Sequence, residues 1–456
     1  MAAYQTVNPA TGEVLRSYET MTADAAMAVL AAAHAAQPDW AARPIAERAR
    51  CAARLAAVLR ARKGEWARLM TLEMGKPIGE STAEIVKCAW LCEVYAERAE
   101  AWLAEEPVAA DGRDHRVVYQ PLGVILSIMP WNFPFWQALR FAVPTLLAGN
   151  ASVLKHARNV TGCALALEVA LREAGFPADL FRTVLADHEV TAALLGDPRT
   201  AGVSLTGSTA AGRQVAALAG RHLKTCVLEL GGSDPFIVLA DADLDRAVQG
   251  AVTGRLLNTG QSCIAAKRFL VESPVYAEFT SRFAAAMAAR RLGDPLDPET
   301  EVGAVVNAEE LANLLAQIAD AVGRGARLVC GGRQVERPGT FLAPTVLAEV
   351  TPQMRVWREE VFGPVAPVMA VGDADEAVRL ANQSDYGLGG SVWTADLARG
   401  EAIARRLECG SAFVNGIVRS DPRLPFGGVK QSGLGRELGW FGLRAFTNVK
   451  GLNLYD

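Results

Sequence analysis

Cys263 is the cysteine whose surroundings best suit a nucleophile. It follows a glycine-bearing loop in NTGQSCIAAKR and precedes an apolar stretch. A cysteine just past a loop, near a helix start, can have its thiolate stabilised, and the thiolate is the nucleophilic form. Most cysteines are instead small buried hydrophobes. We assign that ordinary role to the others, namely Cys51, Cys88, Cys92, Cys163, Cys226, Cys330 and Cys409.

Two further polar residues stand in apolar surroundings. Glu229 lies in an apolar strand, directly before the pair Gly231 and Gly232. Burial there would raise the pKa of its carboxyl toward neutrality, which suits a general base, although an ordinary surface acid would fit the pattern too. Asn132 lies in MPWNFPFWQALR, which we predict to be a rigid loop because of its prolines. Its amide could donate to a developing oxyanion, or only satisfy backbone groups in an aromatic core.

The segment VSLTGSTAAGR joins a predicted strand to a predicted helix. Gly207 ends the strand and Ser208 opens the helix. A helix N-terminus presents free N–H groups and the positive end of its dipole, so this turn could hold a pyrophosphate. The middle glycine of the usual dinucleotide fingerprint is missing, however. Taken alone, the segment therefore favours an ordinary tight turn between strand and helix.

The surrounding patterns predict the elements that must position these residues. Residues 22–105 are predicted to be almost wholly helical, with Thr22 as the first cap. Two strands follow, joined by a turn at residues 121–123. From 152 to 241, and again from 241 to 428, strands alternate with helices, which implies parallel βαβ units. The predicted fold class is α/β, with two doubly wound domains.

Length and composition exclude several classes of protein. A chain of 456 residues exceeds what one hydrophobic core organises. Its net charge of −4 leaves no basic field for nucleic acid or an acidic membrane surface. Eight cysteines are too dilute for a disulfide scaffold, and their spacing suits no structural zinc, so no metal is expected. Without a signal-peptide pattern or an eighteen-residue apolar run, the sequence favours a cytoplasmic enzyme with reduced thiols.

A set of motifs occurs in a fixed order: PWNFP, VLKHA, TGSTAAGR, LELGG, GQSC, EEVFGP and PFGGVKQSGLGRE. Together they resemble the aldehyde dehydrogenase superfamily, from NPATGEV near the start to GLRAFTNVK near the end. Within it, KHARN and CVLELGGSDPFIVL are most similar to bacterial succinate-semialdehyde dehydrogenases. The resemblance implies an aldehyde dehydrogenase-like fold: a Rossmann-like cofactor domain, a catalytic domain and a small oligomerisation sheet.

The resemblance implies a role for each reactive residue. Cys263 would attack the aldehyde carbon, and Asn132 with the Cys263 backbone N–H would hold the resulting oxyanion. Glu229 would activate the water that hydrolyses the thioester, which favours hydrolysis over acyl transfer to coenzyme A. Glu437 matches a family position implicated in proton relay, with a surface ion pair as the alternative.

The resemblance also implies which residues hold a nicotinamide dinucleotide. They would contact the adenosine ribose and phosphate, the pyrophosphate and the nicotinamide ribose. From the adenosine end to the nicotinamide end, they are Lys155, Trp131, Gly207, Ser208, Glu360 and Phe362.

Arg158 bears on the choice of cofactor. NAD-preferring members of the superfamily often carry a glutamate three residues after the strand lysine, where Arg158 stands here. A carboxylate would repel a 2′-phosphate, whereas an arginine could pair with it. We therefore predict NADP, or use of both NADP and NAD. If Arg158 points to solvent, it only fails to discriminate.

The predicted substrate is succinate semialdehyde, whose carboxylate needs a cation or several donors. Arg140 matches an arginine that anchors this group in some members, and Arg419 and Ser420 could assist. A second arginine of that group is replaced by Asn258. The alternatives are glutarate semialdehyde and a broad range of aliphatic or aromatic aldehydes. A non-catalytic protein that keeps the fold is a further possibility, against which the intact set of reactive residues argues.

The resemblance predicts how the chain divides into domains. Residues 1–105 and 123–232 would form a discontinuous cofactor-binding domain, and 233–432 the catalytic domain. Residues 106–122 and 433–456 would be oligomerisation segments. Both segments contain extended apolar stretches of the kind that a partner chain commonly covers. We therefore predict a homodimer or homotetramer that binds a small aldehyde, and neither nucleic acid nor membrane.

Overall fold

The first quarter of the chain is mostly helical, and in the rest of the chain helices pack against the strands of two large sheets. The computed structural model describes residues 3–456, so Met1 and Ala2, with which the predicted cofactor-binding domain begins, lie outside the described residues. The helices are α1 (Ala23–Ala41), α2 (Ile45–Ala61), α3 (Lys63–Met74), α4 (Ile78–Trp102), α5 (Pro134–Leu147), α6 (Thr161–Glu173), α7 (His188–Gly196), α8 (Thr209–Arg221), α9 (Leu244–Leu256), α10 (Ser273–Ala288), α11 (Ala308–Gly323), α12 (Arg355–Arg358), α13 (Ala374–Asn382), α14 (Leu397–Ala404) and α15 (Gly439–Arg444).

The strands form two large sheets and three small ones. In chain order they are β1 (Ala3–Val7), β2 (Val14–Glu19), β3 (Glu106–Pro107), β4 (Asp114–Pro121), β5 (Val124–Met129), β6 (Ala151–His156), β7 (Phe181–Thr183), β8 (Thr200–Thr206), β9 (Thr225–Glu229), β10 (Asp234–Val238), β11 (Ala266–Glu272), β12 (Arg327–Cys330), β13 (Thr345–Ala348), β14 (Val365–Val371), β15 (Tyr386–Gly387), β16 (Gly389–Trp393), β17 (Ser411–Val414), β18 (Val429–Lys430), β19 (Gly433–Leu434) and β20 (Thr447–Leu454).

The first large sheet has six strands in the order β19-β9-β8-β5-β6-β7. Its strands are parallel except β19, which runs antiparallel to β9. Helices α1, α5, α6, α7 and α8 pack against it. Because β8 ends at Thr206 and β9 at Glu229, the carboxyl ends of both strands deliver predicted site residues to one edge of the sheet.

The second large sheet has seven strands in the order β12-β13-β14-β11-β10-β16-β17. Only β12 is antiparallel to its neighbour. Helices α9, α10, α13 and α14 pack against it. Strand β10 begins just after the pair Gly231 and Gly232, and β11 begins just after Cys263. The site is therefore built where the chain crosses from one sheet to the other, and the predicted pair of parallel-sheet α/β units is confirmed.

A three-stranded antiparallel sheet, in the order β20-β4-β3, lies at the edge of the fold. Strand β20 pairs with β4 from Thr447 opposite Pro121 to Leu454 opposite Asp114. Its outer side chains are exposed, Val449 among them. Strand β19, which also follows residue 432, belongs to the six-stranded sheet instead. Among residues 3–456 no helix is both long and apolar enough to cross a bilayer.

Most predicted elements are confirmed at their predicted places. Thr22 caps α1, where its side-chain oxygen accepts a hydrogen bond from the Ala25 N–H at 3.2 Å. One prediction is wrong: only the first part of MPWNFPFWQALR is a loop. Helix α5 begins at Pro134, because a proline in the first helical turn needs no N–H and has its φ already set for a helix. Arg140 therefore lies on a buried helix rather than in a loop.

Gly433 is the glycine on which the pairing of β19 with β9 depends. Its φ is +140°, and a Cβ there would collide with the Leu228 carbonyl oxygen. Gly433 pairs directly with Glu229, so this close approach fixes the strand end that carries that carboxyl.

We predict that Gly433→Ala lowers the free energy of unfolding by about 3 kcal/mol or more, through backbone strain and lost strand pairing. Urea denaturation followed by tryptophan fluorescence measures this value. Gly220→Ala is the matched control, because a Cβ at that helical position meets nothing within 4 Å. The control should leave stability unchanged or raise it by up to about 1 kcal/mol. Equal effects of the two substitutions would contradict the assignment.

Candidate active site

Two cavities meet at Cys263. The first, which we call the sheet-edge cleft, is lined by Trp131, Asn132, Gly207, Ser208, Glu310, Glu360 and Phe362, among others. The second, which we call the helical cavity, is lined by Glu80, Glu84, Lys87, Trp136, Arg140, Arg419, Ser420 and Phe426, among others. Gln137 and Cys263 line both. A thiol at such a junction can meet two different ligands from opposite sides.

Cys263 lies between a 3-10 turn, Leu257–Gly260, and strand β11. The expected helix start is therefore absent, and the predicted stabilisation of the thiolate by one is wrong. Burial raises the pKa of the Cys263 thiol to about 12, against the lowering effect of the charges on Lys267 and Arg140. The Lys267 Nζ donates to the carbonyl oxygens of Ser262 at 2.8 Å and of Cys263 at 2.6 Å. Its ammonium group thus fixes the backbone at Cys263.

Asn132 is held from both its side chain and its main chain. Its side-chain amide donates to the Gln261 carbonyl at 3.1 Å, and Gln261 lies two residues before Cys263 in the chain. Its main-chain carbonyl accepts from the Asn258 side-chain amide at 2.7 Å and from the Lys76 Nζ at 3.3 Å. Asn258, which entered the sequence argument only as a missing arginine, is buried with a φ of +58°. Its role in the structure is to position Asn132.

A buried ion pair fixes the loop that precedes α5. Lys76 pairs with Glu84, and both side chains are buried. The Glu84 Oε1 also accepts hydrogen bonds from the backbone N–H groups of Phe135 at 2.9 Å and Trp136 at 2.8 Å. A carboxylate at a helix N-terminus satisfies free N–H groups and interacts favourably with the helix dipole. No local sequence pattern marks this role of Glu84, because the Phe135 and Trp136 N–H groups lie 51 and 52 residues away in the chain.

Glu229 is buried at the end of β9, with 2 % of its surface exposed. Among residues 3–456, neither carboxyl oxygen of Glu229 has a hydrogen-bond partner. Burial, and then the neighbouring charge of Glu437, raise the pKa of Glu229 well above its usual range. The predicted direction of this shift is confirmed. The raised pKa favours the protonated form of the Glu229 carboxyl group. Only after this group has lost its proton can it act as a base.

Glu437 is buried rather than exposed, so the alternative of a surface ion pair is wrong. Its Oε2 lies 2.5 Å from the Arg140 Nε, and the Ser204 hydroxyl approaches its Oε1 at 3.5 Å. Burial raises the pKa of Glu437, and Arg140 opposes that rise. Arg140, Glu229 and Glu437 therefore form one electrostatic cluster beside the thiol.

The cleft brings together most of the residues predicted to hold the dinucleotide. Ser208 caps α8, accepting from the Ala211 N–H at 3.2 Å, and the N–H of Gly207 donates to the Glu229 carbonyl at 2.9 Å. Trp131 and Phe362 meet edge to face with ring centroids 5.6 Å apart. Glu360 accepts from the Gly232 N–H at 3.0 Å and lies 3.3 Å from the Lys267 Nζ.

Lys155 and Arg158 lie near the carboxyl end of β6, outside the walls of the cleft. Lys155 is partly buried, and burial together with the charge of Arg158 lowers the pKa of its ammonium group. Arg158 is exposed at the start of the 3-10 turn Arg158–Val160. Both stay predictions as adenosine-side contacts.

The three predicted substrate residues all line the helical cavity. Arg140 is buried and paired with Glu437, Arg419 is exposed, and Ser420 is buried. The Ser420 hydroxyl accepts a hydrogen bond at 2.8 Å from Lys87, a residue that the sequence argument did not single out. Lys87 lies on α4, where a lysine between apolar residues is an ordinary surface pattern. Within residues 3–456 no group of three His, Cys, Asp or Glu side chains is placed to hold a metal.

Comparison with known proteins identifies the class to which this fold and site belong. The model of the aldehyde dehydrogenase family matches residues 2–452. The chain belongs to the aldehyde dehydrogenase family.

Particular relatives are similar over almost the whole chain. It is 48 % identical to succinate-semialdehyde dehydrogenase [NADP(+)] 1 of Mycobacterium tuberculosis over 453 residues, 98 % of either chain. It is 47 % identical to succinate semialdehyde dehydrogenase [NAD(P)+] Sad of Escherichia coli K12, covering 97 % of this chain and 96 % of the relative. The structure of Streptococcus pyogenes succinic semialdehyde dehydrogenase with NADP+ superposes with a TM-score of 0.97 at 37 % identity, covering both chains fully.

The contacts of Lys267 predict the reactivity of the Cys263 thiol. Since the pKa of the thiol is about 12, its thiolate fraction should still be rising between pH 7 and 10. We expect the rate of Cys263 alkylation by iodoacetamide to climb through that range without a plateau. Lys267→Met should lower the rate at pH 8 by about tenfold, which corresponds to one further pKa unit. Mass spectrometry of the modified peptide measures the rate.

Lys430→Met serves as the control for this alkylation experiment. Lys430 pairs with Glu408 at 2.6 Å and lines neither cavity at Cys263. Its substitution should leave the alkylation rate unchanged. A plateau of the wild-type rate below pH 9, or equal rates for wild type and Lys267→Met, would contradict the assignment.

Proposed function

We propose that the protein oxidises succinate semialdehyde to succinate with NADP+, through a covalent adduct on Cys263. The observation that carries the proposal is the position of Cys263 at the junction of two cavities of different character. One is bordered by a helix N-terminus and paired aromatic rings, and the other by Lys87, Arg140 and Arg419. The names of the relatives at 47–48 % identity support the same substrate and cofactor.

The sheet-edge cleft has the chemistry that a nicotinamide dinucleotide needs. The first turn of α8 offers backbone N–H groups to a pyrophosphate, and Glu360 offers a carboxylate to ribose hydroxyls. Trp131 and Phe362 add apolar faces at the cleft wall. When bound, the dinucleotide supplies the hydride acceptor for the oxidation. The residues of the chain supply the attacking thiol, the oxyanion donors and the base.

Cys263 forms the bond to the substrate. Its Sγ, after losing a proton to solvent, attacks the aldehyde carbon, and the carbonyl oxygen becomes an oxyanion. The Asn132 amide and the Cys263 backbone N–H are the donors assigned to that oxyanion. Asn258 and Lys76 act as positioning residues, since they hold the Asn132 backbone through its carbonyl. Oxidation of the adduct leaves a thioester on Cys263.

Glu229 is the base assigned to hydrolysis of the thioester. In its ionised form it takes a proton from water, whose oxygen attacks the acyl carbon, and the C–S bond breaks to release succinate and the thiol. Its lack of hydrogen-bond partners within residues 3–456 leaves both oxygens free for that water. Glu437 is assigned to receive protons from Glu229, the two groups sharing the field of Arg140.

We further propose the oligomer, the location and the domain boundaries predicted from the sequence, except that residues 433–434 belong with the six-stranded sheet. The exposed apolar residues of β20, such as Val449 and Leu452, support burial against a second copy in a homodimer or homotetramer. Eight free cysteines, Cys263 among them, support a reducing compartment such as the cytoplasm.

The first test measures absorbance at 340 nm with succinate semialdehyde and either cofactor. Wild type should reduce NADP+ with a higher kcat/KM than NAD+, because Arg158 can pair with a 2′-phosphate. Cys263→Ala should lose activity by at least about 1,000-fold, since no other group forms the adduct. Cys226→Ala, a cysteine outside both cavities, is the control and should stay active. A strong preference for NAD+, or an active Cys263→Ala, would refute the corresponding part of the proposal.

A second test separates oxidation from hydrolysis. Glu229→Gln should still give one rapid turnover of reduced cofactor, followed by a steady state slowed by about 100-fold or more. Because the raised pKa keeps Glu229 protonated at low pH, the wild-type steady-state rate should rise with pH as Glu229 ionises. That rise should vanish in the variant. Glu272→Gln, at a buried carboxyl of β11, is the control; a Glu229→Gln variant with the wild-type rate and pH profile would exclude Glu229 as the base.

A further inference from the structure

The helical cavity contains a lysine without a carboxylate partner. The Lys87 Nζ donates to the Ser420 hydroxyl at 2.8 Å and lies 4.2 Å from the centroid of the Trp136 ring. Within residues 3–456, no carboxylate oxygen lies within 4.0 Å of that nitrogen. A partly buried ammonium group is costly unless an anion or several acceptors compensate it. One hydroxyl and one aromatic face compensate it only in part.

Three buried cations near the thiol are already paired with carboxylates. Arg140 is paired with Glu437, and its NH2 group donates to the Thr206 hydroxyl at 3.3 Å. Recruiting Arg140 to a second carboxylate would weaken the compensation of a buried acid. Lys76 and Lys267 are paired as well, with partners described above. Arg419 lines the same cavity from an exposed position, where water screens its charge.

We propose that Lys87, with the Ser420 hydroxyl as second donor, binds the carboxylate of the substrate. This assignment rests on the proposed function, because it presumes an aldehyde that carries an acid group. Lys87 has the charge, Ser420 can turn its hydroxyl hydrogen toward a carboxylate oxygen, and both line the cavity that ends at Cys263. Trp136 and Phe426 line the same cavity and suit the methylene groups between the two ends of the substrate. Lys87 is then the residue that selects an acidic aldehyde over a neutral one.

The electrostatic surroundings of Lys87 make its binding role dependent on pH. Burial, and then the charge of Arg140, lower the pKa of Lys87 to about 8. The charged and titratable groups that face it come from α4, α5 and the loops at the cavity, and they are Glu80, Glu84, Cys88, Arg140, Cys263, Arg419 and Asp421. An anionic substrate binds the protonated lysine. Its binding should therefore weaken as the pH rises through 8, whereas the binding of a neutral aldehyde should not.

The experiment compares succinate semialdehyde with butanal, a neutral aldehyde of the same carbon number, at saturating NADP+. The readout is the ratio of the two kcat/KM values, which cancels changes common to both substrates. In Lys87→Met the ratio should fall by about 10- to 100-fold, as expected for a lost charge-assisted hydrogen bond. Lys87→Arg should keep the ratio within about threefold of wild type. Lys63→Met, at an exposed lysine of α3 outside the cavity, is the matched control.

The pH dependence of wild type tests the same assignment without any substitution. Between pH 7 and 9 the ratio should fall by about tenfold, as a lysine with a pKa near 8 loses its proton. In Lys87→Arg the ratio should stay flat, because arginine keeps its charge. This measurement decides the question even if Lys87→Met fails to fold.

The outcomes distinguish a failure of the proposed substrate from a failure of the role of Lys87. A wild-type ratio near one would remove succinate semialdehyde as the preferred substrate, and with it the role of Lys87. A high wild-type ratio that is unchanged in Lys87→Met, or flat from pH 7 to 9, would overturn the role of Lys87 and leave the proposed function standing.

Discussion

The charge of Arg140 is the constraint on which the rest of the site depends. Two carboxyl groups, Glu229 and Glu437, are buried side by side, and like charges in a medium of low polarity cannot both ionise freely. Arg140 pairs with one of them and lowers the pKa of both. Because Arg140 lies on α5 while the two acids lie on and beside the six-stranded sheet, their attraction also ties that helix to the sheet edge. The same ion pair therefore balances the buried charges and holds α5 against the edge of the sheet.

Charged and backbone contacts also hold Cys263 in place. The Lys267 ammonium group donates to the carbonyl oxygens of Ser262 and Cys263 and pairs with Glu360 in the cleft. Gly232 contributes by lacking a side chain, since a Cβ there would collide with the Cys263 carbonyl oxygen. Cys263 is therefore positioned through its backbone, and its side chain stays available to both cavities. Burial raises the pKa of the Cys263 thiol to about 12, and a protonated thiol is less easily oxidised than a thiolate.

Much of the fold and part of the site could be predicted from the sequence, for identifiable physical reasons. Alternating strands and helices marked the parallel sheets, and Gly207 with Ser208 marked the turn at the end of β8. Lys87, Asn258 and the pair Lys76–Glu84 could not be predicted in this way. Their roles arise from contacts between segments far apart in the chain, which no local periodicity records. Helix α5 was missed because prolines signal a rigid loop and a helix start equally well.

The pairing of β19 with β9 has a consequence for how the enzyme is made. Gly433 and Glu229 are neighbours in the sheet but about 200 residues apart in the chain. At a synthesis rate of about 5–20 residues per second, the six-stranded sheet waits roughly 10 to 40 s for its last strand after β9 has emerged. During that interval the edge of β9 is open and Glu437 is not yet beside Arg140. Completion of the site is thus a late event of biosynthesis, because it needs a strand that lies about 200 residues after β9.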